Sequence, residues 1–440
     1  MKFTSAYWTV NIAEMLERTA YYGIFIAITF YLSNLLGFTD IEAGIISGLF
    51  SATTYFLQMF SGAYADRLGY RKSLLLAFGL MPIAYFSLGL LPYLYRDFGE
   101  GYRWLIVPVM LILVFTGSIT KSIIRASVAR ETTTENRAKG YSIFYMIVNI
   151  GAFSGKSIID PLRGITGQDA YIYVNFISAA LCLIAFITTY FLYKSVNTAG
   201  EGKSFREIGQ GMLKLFTKPR LLVLILIAAG FWTIQQQLYA SMPKYVVRMV
   251  GESAKPGWIA NVNPLVVVLL VNVVTSFMKN RSALTSIFIG ILLVPVAALI
   301  MSTGTFLGDQ PILGLHPVTL MLVIGIMLQG LCECFITPRY LEYFSYHAPK
   351  GEEGLYLGFS QMDSFFASLI GFFMSGFLLD RYCPDPAKFA THEEWLAASA
   401  HAHYIWYYFA AVGLVAALTL VTFSLVTKRI DAKKATAEKQ

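Results

Sequence analysis

Charge is scarce in this sequence. Only 14% of its 440 residues are Asp, Glu, Lys or Arg, against 56% hydrophobic, and the mean hydropathy is +0.59. That balance excludes both an ordinary soluble domain and a disordered chain, and it leaves a polytopic membrane protein. Cysteine is scarce as well. Of four cysteines, Cys182, Cys332 and Cys334 lie in apolar runs and Cys383 stands alone in a loop, so no disulfide framework is expected. Cys332 and Cys334 would point about 200° apart on a helix, too far apart to share a metal. His316, His347, His392, His401 and His403 fall in loops or at the ends of apolar runs with no carboxylate cluster at helical spacing, and read as solvated. There is no H-E-x-x-H pair and no G-x-x-x-x-G-K-[ST] loop, so a zinc-dependent membrane enzyme and a nucleotide-driven pump both lack their chemistry. No enzyme activity and no cofactor or metal is expected.

What the sequence has in abundance is long apolar runs. We count twelve, each with the roughly 20 residues that a hydrocarbon core demands, the first near 8–36, the seventh near 220–248, the tenth near 317–345 and the eleventh near 355–381. The first is too long for a cleavable signal and reads as an uncleaved span. Basic residues collect in alternate loops, at Arg67, Arg71 and Lys72, at Arg130, Arg137 and Lys139, at Lys203 to Lys218, and at Lys279 and Arg281. Those loops and both termini are expected on the cytoplasmic side. Loops with Asp40 and Glu42, Asp97 and Glu100, Asp309, and Asp385, Glu393 and Glu394 are expected outside. The net charge of +8 is then juxtamembrane and calls for no nucleic-acid partner.

The longest polar connection divides the chain. The expected organisation is a six-helix bundle over residues 1–193, a cytoplasmic linker over 194–219, a second six-helix bundle over 220–427 and a basic tail over 428–440. Within the linker, residues 204–216 form a short amphipathic pattern with Phe205, Ile208, Met212 and Leu215 on one side.

The first run carries charge where charge is costly. Glu14, Glu17, Arg18, Tyr21 and Tyr22 are spaced i, i+3, i+4, i+7, i+8, so two carboxylates, one guanidinium and two phenols share one helical face. An ionisable residue at mid-bilayer costs about 2.5 kcal/mol or more and marks a pathway or relay by default.

The loop after the second run reads Gly62-Ala-Tyr-Ala-Asp66-Arg67-Leu-Gly69-Tyr-Arg71-Lys72. It resembles the G-x-x-x-D-R-x-G-x-R cytoplasmic signature of the major facilitator superfamily, which implies an all-α membrane protein of twelve helices in two pseudo-symmetric bundles. Gly62, Asp66, Arg67, Gly69 and Arg71 would then form a cytoplasmic gate. Glu14-x-x-Glu17-Arg18-x-x-Tyr21-Tyr22-Gly23 resembles the E-x-x-E-R-F-x-Y-Y-G motif of the proton-coupled oligopeptide transporters and departs from it at Thr19. Phe144-Tyr145-Met-Ile-Val-Asn149-Ile-Gly151, Gly117-Ser-Ile-Thr-Lys121, Phe231-Trp232 with Gln237, Asn263-Pro264 and Glu333-Cys-Phe-Ile-Thr-Pro338 also resemble segments of that family, although Ser118 and Ser122 depart from its usual Gly and Pro.

The resemblance implies a multi-pass carrier in the inner or plasma membrane, acting as a monomer, that imports di- or tripeptides with protons by alternating access. Glu14, Glu17, Arg18 and Lys121 would couple the proton, and Lys121 would also meet the substrate carboxylate. Glu333, on a helix that Pro338 is expected to break, would receive the amino terminus. Tyr21, Tyr22, Tyr55, Tyr145, Asn149, Gln237 and Asn263 would satisfy the peptide backbone. Two departures limit the transfer, because the family's usual arginine and its acidic partner are here Phe25 and Gln236. Lys156 and Asp363 are charges the family pattern does not include. Lys156 replaces the arginine in our reading, while a snorkelling or structural pair stays open for both residues. Open too are a different solute, such as an amino-acid conjugate, a cell-wall fragment or an organic acid, and a sensor that binds without transport.

Overall fold

The computed structural model describes residues 3–132, 137–194, 204–349 and 353–437, with the side chains of 61–68, 129–130, 137–139, 141–142, 205, 353–354 and 431–437 outside the description. The described residues are almost wholly helical. The first half comprises α1 (Ser5–Phe25), α2 (Asp40–Leu68), α3 (Tyr70–Phe98), α4 (Ile106–Arg130), α5 (Arg137–Thr166) and α6 (Ala170–Leu192). A short amphipathic helix α7 (Phe205–Leu215) follows, closed at its start by a capping box in which Ser204 and Glu207 satisfy each other's backbone N–H. Its Met212 and Leu215 are buried against the bundle. The second half comprises α8 (Pro219–Gln235), α9 (Met242–Val250), α10 (Pro256–Met278), α11 (Ala283–Ser302), α12 (Pro317–Tyr346), α13 (Glu353–Ser360), α14 (Met362–Tyr382), α15 (His392–Ser399) and α16 (Tyr404–Ala437).

Ten stretches among the described residues are long and apolar enough to cross a membrane. One of them, Ile143–Leu192, contains most of α5 and all of α6, and α1 with Glu14, Glu17 and Arg18 is not among the ten. The expected twelve runs count α1 and take α5 and α6 separately. Three runs expected to be continuous are interrupted: the first breaks at Ile26–Ala27, between α1 and a one-turn helix at Ile28–Phe30, the seventh breaks between α8 and α9, at Gln236–Ser241, and the eleventh breaks at Gln361. Pro338 does the opposite of what was expected. α12 runs through it unbroken to Tyr346, because neighbouring helices and side chains can compensate for the lost backbone bond.

Helices α1 to α6 pack mainly among themselves, as do α8 to α16, and the two groups meet along α2 with α14 and along α5 with α10. Small residues make both the seams and the site possible. A Cβ at Gly44 would lie 2.5 Å from the Phe372 carbonyl and 3.0 Å from Gly376 Cα, so α2 and α14 touch backbone to backbone. Within the first group, a Cβ at Gly151 would lie 2.7 Å from the Met15 carbonyl and 2.8 Å from Arg18 Cβ. Gly151 therefore sets how closely α5 approaches the charged face of α1. Gly151→Leu is expected to force the two helices apart and to destabilise the purified protein by an amount typical of core overpacking, about 1–3 kcal/mol, read as a lower melting temperature; an unchanged melting temperature would contradict this packing.

Candidate functional site

Between the two groups lies a cavity of about 1160 Å³. It extends to Arg125 near the end of α4 and to Ser345 one residue from the end of α12. At the opposite end the groups are sealed. Asp40, at the start of α2, accepts from Lys244 at 2.6 Å and from Arg248 at 2.7 Å, and Arg248 also donates to the Cys383 carbonyl at 2.7 Å. The other seam closes at the same end, where Asp160 accepts from Trp258 N–H at 2.8 Å and Arg163 pairs with Glu252 at 2.7 Å.

The charged face of α1 looks into the base of the cavity. Arg18 Nε donates to Glu17 at 2.5 Å, its NH2 pairs with the same carboxylate, and Glu14 lies 3.4 Å away. All three side chains are at most 5% exposed. The two carboxylates are thus unequal: Glu17 is locked to the guanidinium, while Glu14 is held loosely and its Oε2 is buried without a hydrogen-bond partner. Two acids against one guanidinium leave one negative charge to be balanced by a proton or by another cation. Arg125 lies within the field of Glu14, and so does Lys121. Its Nζ sits 5.0 Å from the centre of the Tyr21 ring and 5.1 Å from that of Tyr55, within the field of Glu17 and Glu14 but with no carboxylate in ion-pair reach among the described residues. A water-sized cavity of about 10 Å³ lies among Glu17, Arg18, Tyr21 and Lys121.

On the facing wall Glu333 accepts from Gln235 at 2.9 Å and from Asn263 at 3.2 Å. Lys156 faces it from α5. Its Nζ lies 5.3 Å from the Tyr22 ring centre and 5.4 Å from that of Tyr239, the side chain is 2% exposed, and Glu333 is the charge that acts on it. With its ammonium buried in mid-helix, Lys156 does not snorkel. The wall of the first half carries the lysines and that of the second half carries Glu333 and Asp363, so the cavity is polarised across the seam.

Tyr21, Tyr22, Tyr55, Tyr145, Asn149 and Asn263 all line this cavity. Gln237 does not. Its amide donates to the Thr233 and Gly371 carbonyls and its oxygen accepts from Ser241 at 2.7 Å, so it is spent on the contact between α8 and α14. The helix break at Gln236 turns Gln235 toward Glu333 instead, and no signal in the sequence distinguishes the three consecutive glutamines. Phe25 and Gln236 both reach the cavity wall, where Phe25 stacks on Tyr21 at 5.1 Å and meets Tyr239 at 4.9 Å. An aromatic cluster thus occupies the place of the absent ion pair.

Of the gate residues, Gly62, Asp66 and Arg67 have side chains outside the described set. Gly69 takes a φ of +81° at the start of α3, a left-handed turn suited to glycine. Arg71 donates to the Tyr190 carbonyl of α6 at 2.8 Å, a contact inside the first half. The seal formed by Asp40, Lys244 and Arg248 was missed in the sequence. Its one legible trace is the i, i+4 pair of basic residues at the end of the seventh run.

The sequence profile of the Major Facilitator Superfamily matches residues 10–315. The chain belongs to that superfamily. This facilitator is therefore a multi-pass cell-membrane transporter and not an enzyme. It is 23% identical over 359 residues to the transporter YttB of Bacillus subtilis, covering 80% of this chain and 83% of that one. It is 23% identical over 240 residues to dipeptide and tripeptide permease A of Pectobacterium carotovorum, covering 54% of this chain and 44% of the permease. Its fold matches that of a solved structure described as showing substrate recognition in proton-dependent oligopeptide transporters, with a TM-score of 0.74 at 17% identity, over 97% of this chain and 99% of that one.

Proposed function

We propose that this facilitator is a proton-coupled symporter that imports di- or tripeptides, or solutes that share their amino and carboxylate ends, by alternating access. The observation that carries the reading is the polarised cavity. Lys121 and Lys156 on one wall and Glu333 on the other present opposite charges to the two ends of a zwitterion, so a bound substrate draws the halves together. The unequal pair Glu14 and Glu17 around Arg18 supplies a site for a proton beside Lys121. Protonating Glu14 neutralises the cluster, and losing that proton leaves a negative charge that competes with the substrate carboxylate for Lys121. Placed with its basic loops in the cytoplasm, the conformation seen here faces inward.

Phe25 and Gln236 favour a second reading, an amino-acid-like solute bound through fewer charged contacts. Uptake into proteoliposomes at inside-alkaline pH, with di- and tripeptides free and carboxyl-blocked, separates the two. The first reading expects concentrative uptake of free peptides only; equal handling of both forms rejects a carboxylate clamp, and binding without flux identifies a sensor. Lys156→Ala is expected to weaken uptake of the free peptide by about tenfold or more, the scale of losing one partner of a buried charge contact. Unchanged affinity would remove Lys156 from the site.

A further inference from the structure

The peptide reading above has no use for Asp363. Its side chain is 3% exposed and lines the central cavity, where α14 begins just beyond the interruption at Gln361. Its Oδ1 accepts from the backbone N–H and the hydroxyl of the adjacent Ser364, the latter at 2.9 Å. Among the described residues no lysine or arginine lies within ion-pair reach, so this buried carboxylate has dipoles around it but no countercharge. Burying a carboxylate away from cations is costly, and a wall that keeps one calls for a cation from elsewhere. Its other neighbours are suited to that occupant. Trp232 and Tyr340 turn their hydrogen-bonding groups toward the carboxylate and Tyr55 lies within its field, all three lining the same cavity. A carboxylate held in place by neutral hydrogen-bonding groups, with no cation of its own, matches an ammonium or a guanidinium.

We infer that Asp363, with Trp232, Tyr340 and Tyr55, forms a second anionic subsite that takes a cationic side chain of the substrate. The inference rests on the peptide reading for the rest of that substrate. It makes the transporter selective for peptides bearing lysine or arginine, whose side-chain cation adds to the amino terminus held at Glu333.

The test uses the full-length purified protein and two readouts. Binding of butylguanidinium, a cation without a peptide backbone, is measured by calorimetry for wild type, Asp363→Asn and Asp363→Glu, each checked by gel filtration. Uptake of alanyl-lysine and alanyl-alanine is compared in proteoliposomes. Wild type is expected to bind the probe, Asp363→Asn to bind it at least about tenfold more weakly, and Asp363→Glu to recover most of the loss. Asp363→Asn is also expected to lower the preference for alanyl-lysine over alanyl-alanine by about tenfold. Probe binding equal in wild type and Asp363→Asn, including none in either, overturns the subsite. Probe binding that depends on Asp363 in a protein that carries neither dipeptide upholds the subsite and overturns the peptide reading instead.

Discussion

Glu14→Gln is expected to abolish proton-driven accumulation while exchange of substrate across the membrane continues. A coupled proton descending one pH unit supplies about 1.4 kcal/mol, enough for about tenfold accumulation of a neutral co-transported solute. The variant should bring that ratio to about one. The reason lies in the asymmetry of the cluster. Glu17 is tied to Arg18 through two nitrogens, so its charge is fixed, whereas Glu14 stands 3.4 Å off with one oxygen unpartnered. Glu14 is therefore the carboxylate that can gain and lose a proton without breaking the Arg18 contact. Glutamine imitates the protonated acid, leaves Glu17 and Arg18 neutral as a pair, and gives the cluster no charge to release. Counterflow and pH-driven uptake in the same proteoliposomes separate the two activities. Full accumulation by the glutamine variant would assign the proton to another group.

Asp40→Asn is expected to open the sealed end. Asp40 is the single carboxylate shared by Lys244 and Arg248, with side-chain exposures of 3%, 1% and 5%. Removing its charge leaves two buried cations side by side, with Asp385, 33% exposed and 3.7 Å from Arg248, as the remaining carboxylate partner among the described residues. Breaking one partner out of a buried ion network costs about 3–5 kcal/mol, which shifts a closed-to-open ratio by about two orders of magnitude or more. A reporter is already in place. Cys383 is buried, its carbonyl accepts from Arg248, and burial pushes its thiol up to about 12, so it is unreactive in the sealed state. Asp40→Asn should raise the rate of maleimide labelling at Cys383 in detergent by a comparable factor, read by mass spectrometry. Adding Lys244→Met should reverse part of the effect, because a neutral partner removes the unpaired charge. Labelling that stays slow in Asp40→Asn would mean that the Gly44 and Gly376 contact and the Asp160 and Arg163 contacts of the other seam hold the end closed without Asp40.

The sequence by itself determined the all-helical membrane class and one face of the site. Apolar runs of spanning length need no partner to be recognised, because the bilayer sets their length. The grouping of Glu14, Glu17 and Arg18 follows from helical period alone, and so it is in the structure. Lys121 and Glu333 were legible because charge in the middle of an apolar run is costly wherever the helix is finally packed. Contacts between distant segments were not legible. Asp40 reads as a loop acid and Lys244 and Arg248 as the end of a run, and only the approach of α2 to α9 makes them a seal. Gln235, Gln236 and Gln237 are chemically identical, and the helix break decides which one turns to Glu333 and which one is spent between helices. Lys156 and Asp363 are single charges in the sequence. Tertiary packing decides their setting, since aromatic rings and the opposite wall come from helices remote along the chain, and no local pattern encodes which faces will meet.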